Sequence, residues 1–224
     1  MKRFKQKSKP GELGTIVYED IDLVIFEKAA GVLSYPLKED RTISVIQLIR
    51  KRWKSQQRQN RNLYLIHRLD QDTSGLMVFA KTTLARRSLA KQFHDHSVIR
   101  GYVAVTRGIP NPSQGRIRTM LGRQFSGRRG VTPKGRVSIT DYVVRKSSRN
   151  NALVYCSLHT GRTHQVRIHM AHLGTPVVGD RVYGKTKANR MMLHAQVLGF
   201  HHPRSNTPVV FVSSLPAEFK QAFK

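Results

Sequence analysis

The sequence predicts a mixed α/β (α+β) fold: a mixed, largely antiparallel central sheet flanked by helices and loops. Three observations carry this. Short β-branched and apolar runs outnumber helical stretches. Several of these runs follow one another directly, as antiparallel strands do. The chain has 224 residues and is 39% hydrophobic, enough to bury a core despite its charge. It has no internal repeat, and it is read as a basic tail over 1–10 followed by one domain over 11–224.

The elements follow in order. Residues 1–10 are polar and basic, end at Pro10-Gly11, and are read as a mobile tail that touches phosphates or is merely solvated. Thr15–Glu19 and Leu23–Glu27 form two β-rich runs joined by a short acidic turn, a hairpin pattern. Thr42 to Arg50 has helical spacing at Val45, Leu48 and Ile49, with a Thr or Ser cap. Arg50 to Asn62 is then predicted as a basic linker or exposed loop. Leu63–Ile66 is a short strand, His67–Gly75 a polar loop, and Leu76–Ala80 a buried strand. Thr83 to Asp95 reads as a helix with Leu84, Ser88, Leu89 and Phe93 on one face. A strand at Gly101–Thr106 precedes residues 107–136, rich in Arg and Gly, which are expected to be a flexible insertion. Strands return at Val137–Val144 and Ala152–Leu158. Thr163 is expected to cap a helix from His164 to Leu173, with Val166, Met170 and Leu173 buried and Gly174 ending it. Met191–Ala195 and Pro208–Val212 are closing strands, and Glu218–Phe223 a last short helix.

Charge narrows the partner. Forty Lys and Arg against 13 Asp and Glu give a formal charge of +27. A polyanion is implied, with nucleic acid ahead of an anionic membrane surface, because no basic amphipathic helix dominates. The sequence has no apolar run long enough to span a bilayer and no secretory h-region behind its basic start, so a cytoplasmic location is expected. A single cysteine, Cys156, excludes an internal disulfide and a cysteine-based zinc cluster, and its apolar strand marks it as an inert core thiol. Neither a P-loop nor a dinucleotide fingerprint occurs. Among His164, His169 and His172 only the last two approach one helical face, with no acidic residue between them, so no metal is expected.

Acidic residues are scarce, which gives weight to those in polar loops. Asp70 and Asp72 lie in His67-Arg68-Leu69-Asp70-Gln71-Asp72-Thr73-Ser74-Gly75. For Asp72 a turn-capping role beside Thr and Ser is favoured. Asp70 is drawn toward function by a second segment, Thr160 to His169, which sets arginines at the start of a helix. An Arg within contact range keeps such a carboxylate ionised.

Together these segments resemble a known family. His67-Arg68-Leu69-Asp70 with Thr73-Ser74-Gly75-Leu76 resembles the central motif of the RluA-type pseudouridine synthases. Arg100-Gly101-Tyr102-Val103-Ala104 through Gly108 is similar to the second motif, with Arg where Lys is frequent. Thr160 to His169, continued by Leu173-Gly174, Pro176, Gly179-Asp180 and Tyr183-Gly184, resembles the third. Leu193-His194-Ala195, Phe200, His202-Pro203 and Leu215-Pro216 resemble the C-terminal pattern, and Val17 to Asp20 with Lys28 and Gly31 the entry. The motifs span about residues 15–220 in family order. Ala29 stands where Pro is usual, and Ser213-Ser214 where Ala-Pro is common.

The resemblance implies the pseudouridine synthase fold and isomerisation of a uridine in structured rRNA or tRNA. It implies Asp70 as the catalytic carboxylate, Arg167 as the residue that keeps it ionised, and Tyr102 as the ring that holds the base and helps move the C5 proton. Arg68 would fill the space left by the flipped base or contact phosphate. His67, Thr73, Arg162, Thr163 and Gln165 are the further substrate contacts. No cofactor or metal is implied. The expected protein is a monomeric catalytic domain, 11–224, without the small S4 domain that many members carry. RNA grip then falls to the tail, 50–61 and 107–136. Two rivals stay open: a catalytically silent RNA-binding protein on the same fold, and a hydrolase that uses Asp70 and Asp72 as a pair.

Overall fold

The computed structural model describes residues 2–6, 13–36, 42–57, 62–184 and 188–223, with residues 2–6 described by backbone alone. In chain order the first elements are β1 (Lys2–Gln6), β2 (Gly14–Glu19), β3 (Leu23–Lys28), α1 (Val45–Ser55), β4 (Tyr64–Leu65), β5 (Ser74–Ala80) and α2 (Thr83–His94). Then come β6 (Ile99–Arg107), β7 (Gln114–Arg123), β8 (Arg129–Val131), β9 (Arg136–Ser147), β10 (Asn151–Leu158) and α3 (Gln165–His172). The chain closes with β11 (Leu193–His201), β12 (Pro208–Ser213) and α4 (Ala217–Gln221). The predicted mixed α/β architecture is present, and among the strand pairings described only β1 with β12 is parallel.

Two compact units are present: residues 1–99 with 195–214, and residues 100–194 with 215–224. In the first, β2, β3, β5 and β11 are neighbours in that order, with β12 on β11 and β1 on β12. Every residue of β3 and of β5 is buried, so both strands are covered on both faces, and their stretches Leu23–Phe26 and Leu76–Ala80 are continuously apolar rather than alternating. Leu23, Ile25, Leu76 and Val78 meet Ala85 and Leu89 of α2 in one cluster.

The second unit runs β6-β10-β9-β7-β8, each strand antiparallel to its neighbour. Side chains alternate across β6. Ala104 joins Val154 and Cys156 with Val166 and Met170 of α3, while Val103 and Val105 pack on Phe219 of α4. Tyr102 packs against the same cluster as Ala104, half-buried, directly opposite Cys156 on β10.

Several expectations are corrected. Lys2–Gln6 is a strand beside β12 rather than a free tail, since an edge strand leaves backbone groups for a parallel partner; the rest of the tail, 1 and 7–10, lies outside the described residues. The basic run at 50–55 is the end of α1, because Trp53 continues the buried stripe of Val45 and Ile49 at four-residue steps while Leu48 is only half-buried; 58–61 are not described. In α2 the buried face is Ala85 and Leu89, and Leu84 is 50% exposed. Residues 114–136 form β7, β8 and the start of β9, an ordered ribbon rather than a flexible insertion. Ile117 and Leu121 are buried while Arg116, Arg118 and Arg123 are exposed, so the apolar alternation is diluted but present. Thr163 does not cap α3: the cap position is His164, left-handed at φ 59°, with no side-chain cap bond.

Candidate active site

The first unit presents Asp70 on the loop that enters β5. That loop is held from beneath by two buried polar side chains. Lys28, 1% exposed at the end of β3, donates through Nζ to the carbonyls of Ala29 (2.9 Å), Val32 (2.8 Å) and Gln71 (2.7 Å). Ser34 Oγ donates to Leu69 O at 2.7 Å and accepts from Leu69 N at 3.0 Å. The peptides on either side of Asp70 are therefore both anchored, at Leu69 and at Gln71. Gly31 N donates to Gln71 O as well, at 2.9 Å.

Asp70 itself is half-buried, and its carbonyl accepts from Thr73 N at 3.1 Å, closing a turn that aims the loop into β5. Arg68 is exposed and Thr73 is 2% exposed. His67 Nε2 accepts from Val78 N at 3.1 Å, and its ring stacks on Phe93 at 4.6 Å, which fixes the loop's entry. Gly75 has φ 118°, and a Cβ there would lie 2.2 Å from Ala195 O, so only glycine fits where the loop becomes strand.

The second unit carries Tyr102, Arg162, Thr163, Gln165 and Arg167. Arg167, 7% exposed, grips Asp180 in a fork: Nε to Oδ2 at 2.7 Å and Nη2 to Oδ1 at 3.0 Å. Asp180 also accepts from the backbone N–H groups of Val182 and Tyr183. Burial works to raise the Asp180 pKa, but the hydrogen bonds and charge of Arg167, with the two N–H donors, hold it below the ordinary carboxylate value. The guanidinium lies 5.1 Å from the Tyr183 ring, whose hydroxyl meets His164 Nδ1 at 2.8 Å. Arg167 is thus oriented by the segment 180–183, and two of its nitrogens are fixed on Asp180.

Gln165 builds this region rather than facing a ligand. It is 2% exposed, and its amide accepts from Thr160 Oγ and Arg162 N while donating to Ile139 O and Thr140 Oγ, so its hydrogen-bonding capacity is spent inside the unit. Arg162 and Thr163 are half-buried on the turn it braces. Arg100, 8% exposed, runs under that turn, and a Cβ on Gly161 would lie 2.3 Å from its Nη1, which accounts for the glycine. Burial pulls the Arg100 pKa down, and the Arg162 charge acts in the same direction. His169 is fully buried with both ring nitrogens on threonines, Thr119 at 3.0 Å and Thr140 at 2.9 Å. Burial lowers its pKa to about 4. No group of three His, Cys, Asp or Glu residues positioned for a metal occurs among the described residues.

Two residues that sequence reasoning quoted without giving them work are Lys28 and Asp180. Both carry a detectable signal: a lone Lys ending a strand that opens on four apolar residues, and an Asp after Gly in a segment rich in cations.

Comparison with known proteins identifies the class. The family model for RNA pseudouridylate synthase matches residues 22–172, and the chain belongs to that family of RNA-modifying isomerases. A Bacillus subtilis (strain 168) protein named as an uncharacterised RNA pseudouridine synthase is 35% identical over 213 residues, covering 92% of this chain and 70% of that one. Ribosomal large subunit pseudouridine synthase D of Zymomonas mobilis is 34% identical over 227 residues, covering 93% and 71%. Among solved structures, human RNA pseudouridylate synthase domain containing 1 superposes with a TM-score of 0.79 at 26% identity, over 97% of this chain and 89% of that one.

Proposed function

We propose that the chain converts a uridine of ribosomal RNA into pseudouridine, with Asp70 as the catalytic carboxylate. The observation that carries this is the anchoring of the peptides on both sides of Asp70 by two buried side chains, Lys28 and Ser34. A turn needing only a cap does not require a buried ammonium beneath it, whereas a nucleophile gains from fixed geometry. The ribosomal assignment follows the names of relatives such as the Zymomonas mobilis synthase; transfer RNA is the second substrate class.

In this reading residues 11–224 work as one catalytic domain, monomeric and cytoplasmic. The N1–C1′ bond of uridine breaks, the uracil turns, and a C5–C1′ bond forms as the C5 proton leaves, with no change of mass. Asp70 supplies the carboxylate at the sugar or base. Arg167, held by Asp180, is the cation assigned to the Asp70 carboxylate. Tyr102 offers a face for the extruded uracil and a phenol near the departing proton. Arg68, exposed on the same loop as Asp70, takes the space the base vacates. Arg162 and Thr163 face the RNA, while His67, Thr73 and Gln165 act by holding the loops that carry the others.

Pseudouridine mapping across total RNA, with and without the gene, tests the substrate. Loss of a modified position in large-subunit ribosomal RNA is expected. Loss confined to transfer RNA would replace the assignment, and an unchanged map would overturn it.

A further inference from the structure

The hairpin joining β7 and β8 ends in a turn at Gln124–Arg128. Gly127 N donates to Gln124 O at 2.9 Å and Gln124 N to Arg128 O at 2.8 Å, with Gly127 in the left-handed region at φ 78°. This is a tight, hydrogen-bonded tip. At its apex stands Phe125, 107% exposed. A phenylalanine there gains nothing from folding, and a polar residue would suit the turn better. Directly below, Arg123 and Arg129 form a cross-strand pair, both exposed. Like charges placed opposite each other oppose pairing unless an anion lies between them, and no ion pair joins either arginine to an acid among the described residues. The hairpin is also braced: Arg128 donates to Val182 O and its guanidinium lies 5.9 Å from the Tyr183 ring. That ring is the one Arg167 rests on.

We propose that this tip is a finger for single-stranded RNA, in which Phe125 stacks on an unpaired base while Arg123 and Arg129 hold the flanking phosphates. The inference rests on the reading of RNA as substrate and adds where, and in what form, it is gripped. Every base offers a π-face, so the contact favours unpaired RNA over duplex without reading sequence. Two phosphate contacts from one cross-strand pair fit a backbone passing over the ribbon edge. Because Arg128 and Arg167 share the Tyr183 ring, the finger has a fixed relation to the Asp180-held guanidinium within its own unit.

Binding to a single-stranded oligouridylate of about 12 nucleotides and to a duplex of equal length tests this in the full chain. Phe125→Ala should weaken single-strand binding by about five-fold to about a hundred-fold, leave duplex binding alone, and keep the salt slope. Replacing both Arg123 and Arg129 with Gln should instead flatten the single-strand salt slope by about 1.4. In Phe125→Trp the new indole should be quenched by the single strand and not by the duplex; the native Trp53 is 2% exposed and provides the constant background. Wild-type single-strand affinity in Phe125→Ala, with an unquenched indole, would overturn the proposal. So would Phe125-dependent self-association without RNA, which would make the tip a protein contact. Pseudouridine formation by the wild-type chain, assayed in parallel, separates the two readings. Weakened binding in Phe125→Ala with no pseudouridine from wild type sinks the enzymatic reading and leaves the finger. Pseudouridine formation with unchanged binding does the reverse.

Discussion

Lys28→Met removes the ammonium beneath the Asp70 loop while keeping most of the side-chain volume. The lost contacts are donations to Ala29, Val32 and Gln71, at 2.9, 2.8 and 2.7 Å. Gln71 O keeps the Gly31 N–H. Val32 O is buried and Ala29 O is nearer solvent, so one carbonyl is stranded and another partly so. An unsatisfied buried acceptor costs about 1–3 kcal/mol, and hydrogen bonds to a charged donor contribute about 1.5–3 kcal/mol each. Against this, the variant no longer buries an ammonium. The balance is about 3 kcal/mol of lost stability, or about 6–12 °C in Tm for a chain of this size. Gln71 adjoins Asp70, so catalysis should suffer beyond the stability loss. Single-turnover pseudouridine formation, measured well below the melting point, should fall by about ten-fold to about a hundred-fold. A Tm within about 2 °C of wild type with an unchanged rate would refute the idea that the ammonium holds the loop.

Other expectations follow from the same contacts. Asp180→Ala leaves the Arg167 guanidinium buried without its fork, and should cost about 3–5 kcal/mol in urea unfolding and abolish measurable turnover; wild-type stability would show that Arg167 is held by other groups. His169 is buried neutral with its pKa lowered from 6.5 to about 4. The unfolded chain therefore binds the extra proton between these values, so stability is full above about pH 6.5 and falls as pH drops toward 4, by up to about 1.4 kcal/mol per pH unit. His194, lowered by burial to about 3, adds to the same slope. A flat unfolding free energy between pH 6.5 and 4.5 would contradict both. Neutralising Arg50, Lys51 and Arg52, exposed on α1, should flatten the salt dependence of single-strand RNA binding by about two units with little change in single-turnover rate at saturation; an unchanged slope would make them a solvated helix end.

What the sequence revealed depended on how each residue signals its surroundings. Runs such as Leu23–Phe26 and Leu76–Ala80 are apolar throughout because the strands that hold them are buried at every residue, and they are legible as strands. In β7 the alternation of Ile117 and Leu121 is broken up by outward arginines, and composition pointed to a loop instead. The helix at 45–55 was cut short because basic residues on its exposed face hid the step from Ile49 to Trp53. Thr163 has the chemistry of a cap, but the left-handed backbone of His164 places the cap one residue later, a choice local residue type does not encode. Asp70, Tyr102 and Arg167 stood out through the ordered motifs. Lys28 and Asp180 stand out by residue type, but their partners, the Gln71 carbonyl 43 residues on and the Arg167 guanidinium, are set by the fold rather than by local sequence.

The most direct test is to incubate the full chain with ribosomal RNA from cells lacking its gene, and then to map pseudouridine and weigh the RNA fragments. The account expects a new pseudouridine at a defined position, no change in fragment mass, and no conversion at all by Asp70→Asn of unchanged stability and RNA affinity. Free uracil, an altered mass, or turnover by Asp70→Asn would contradict it.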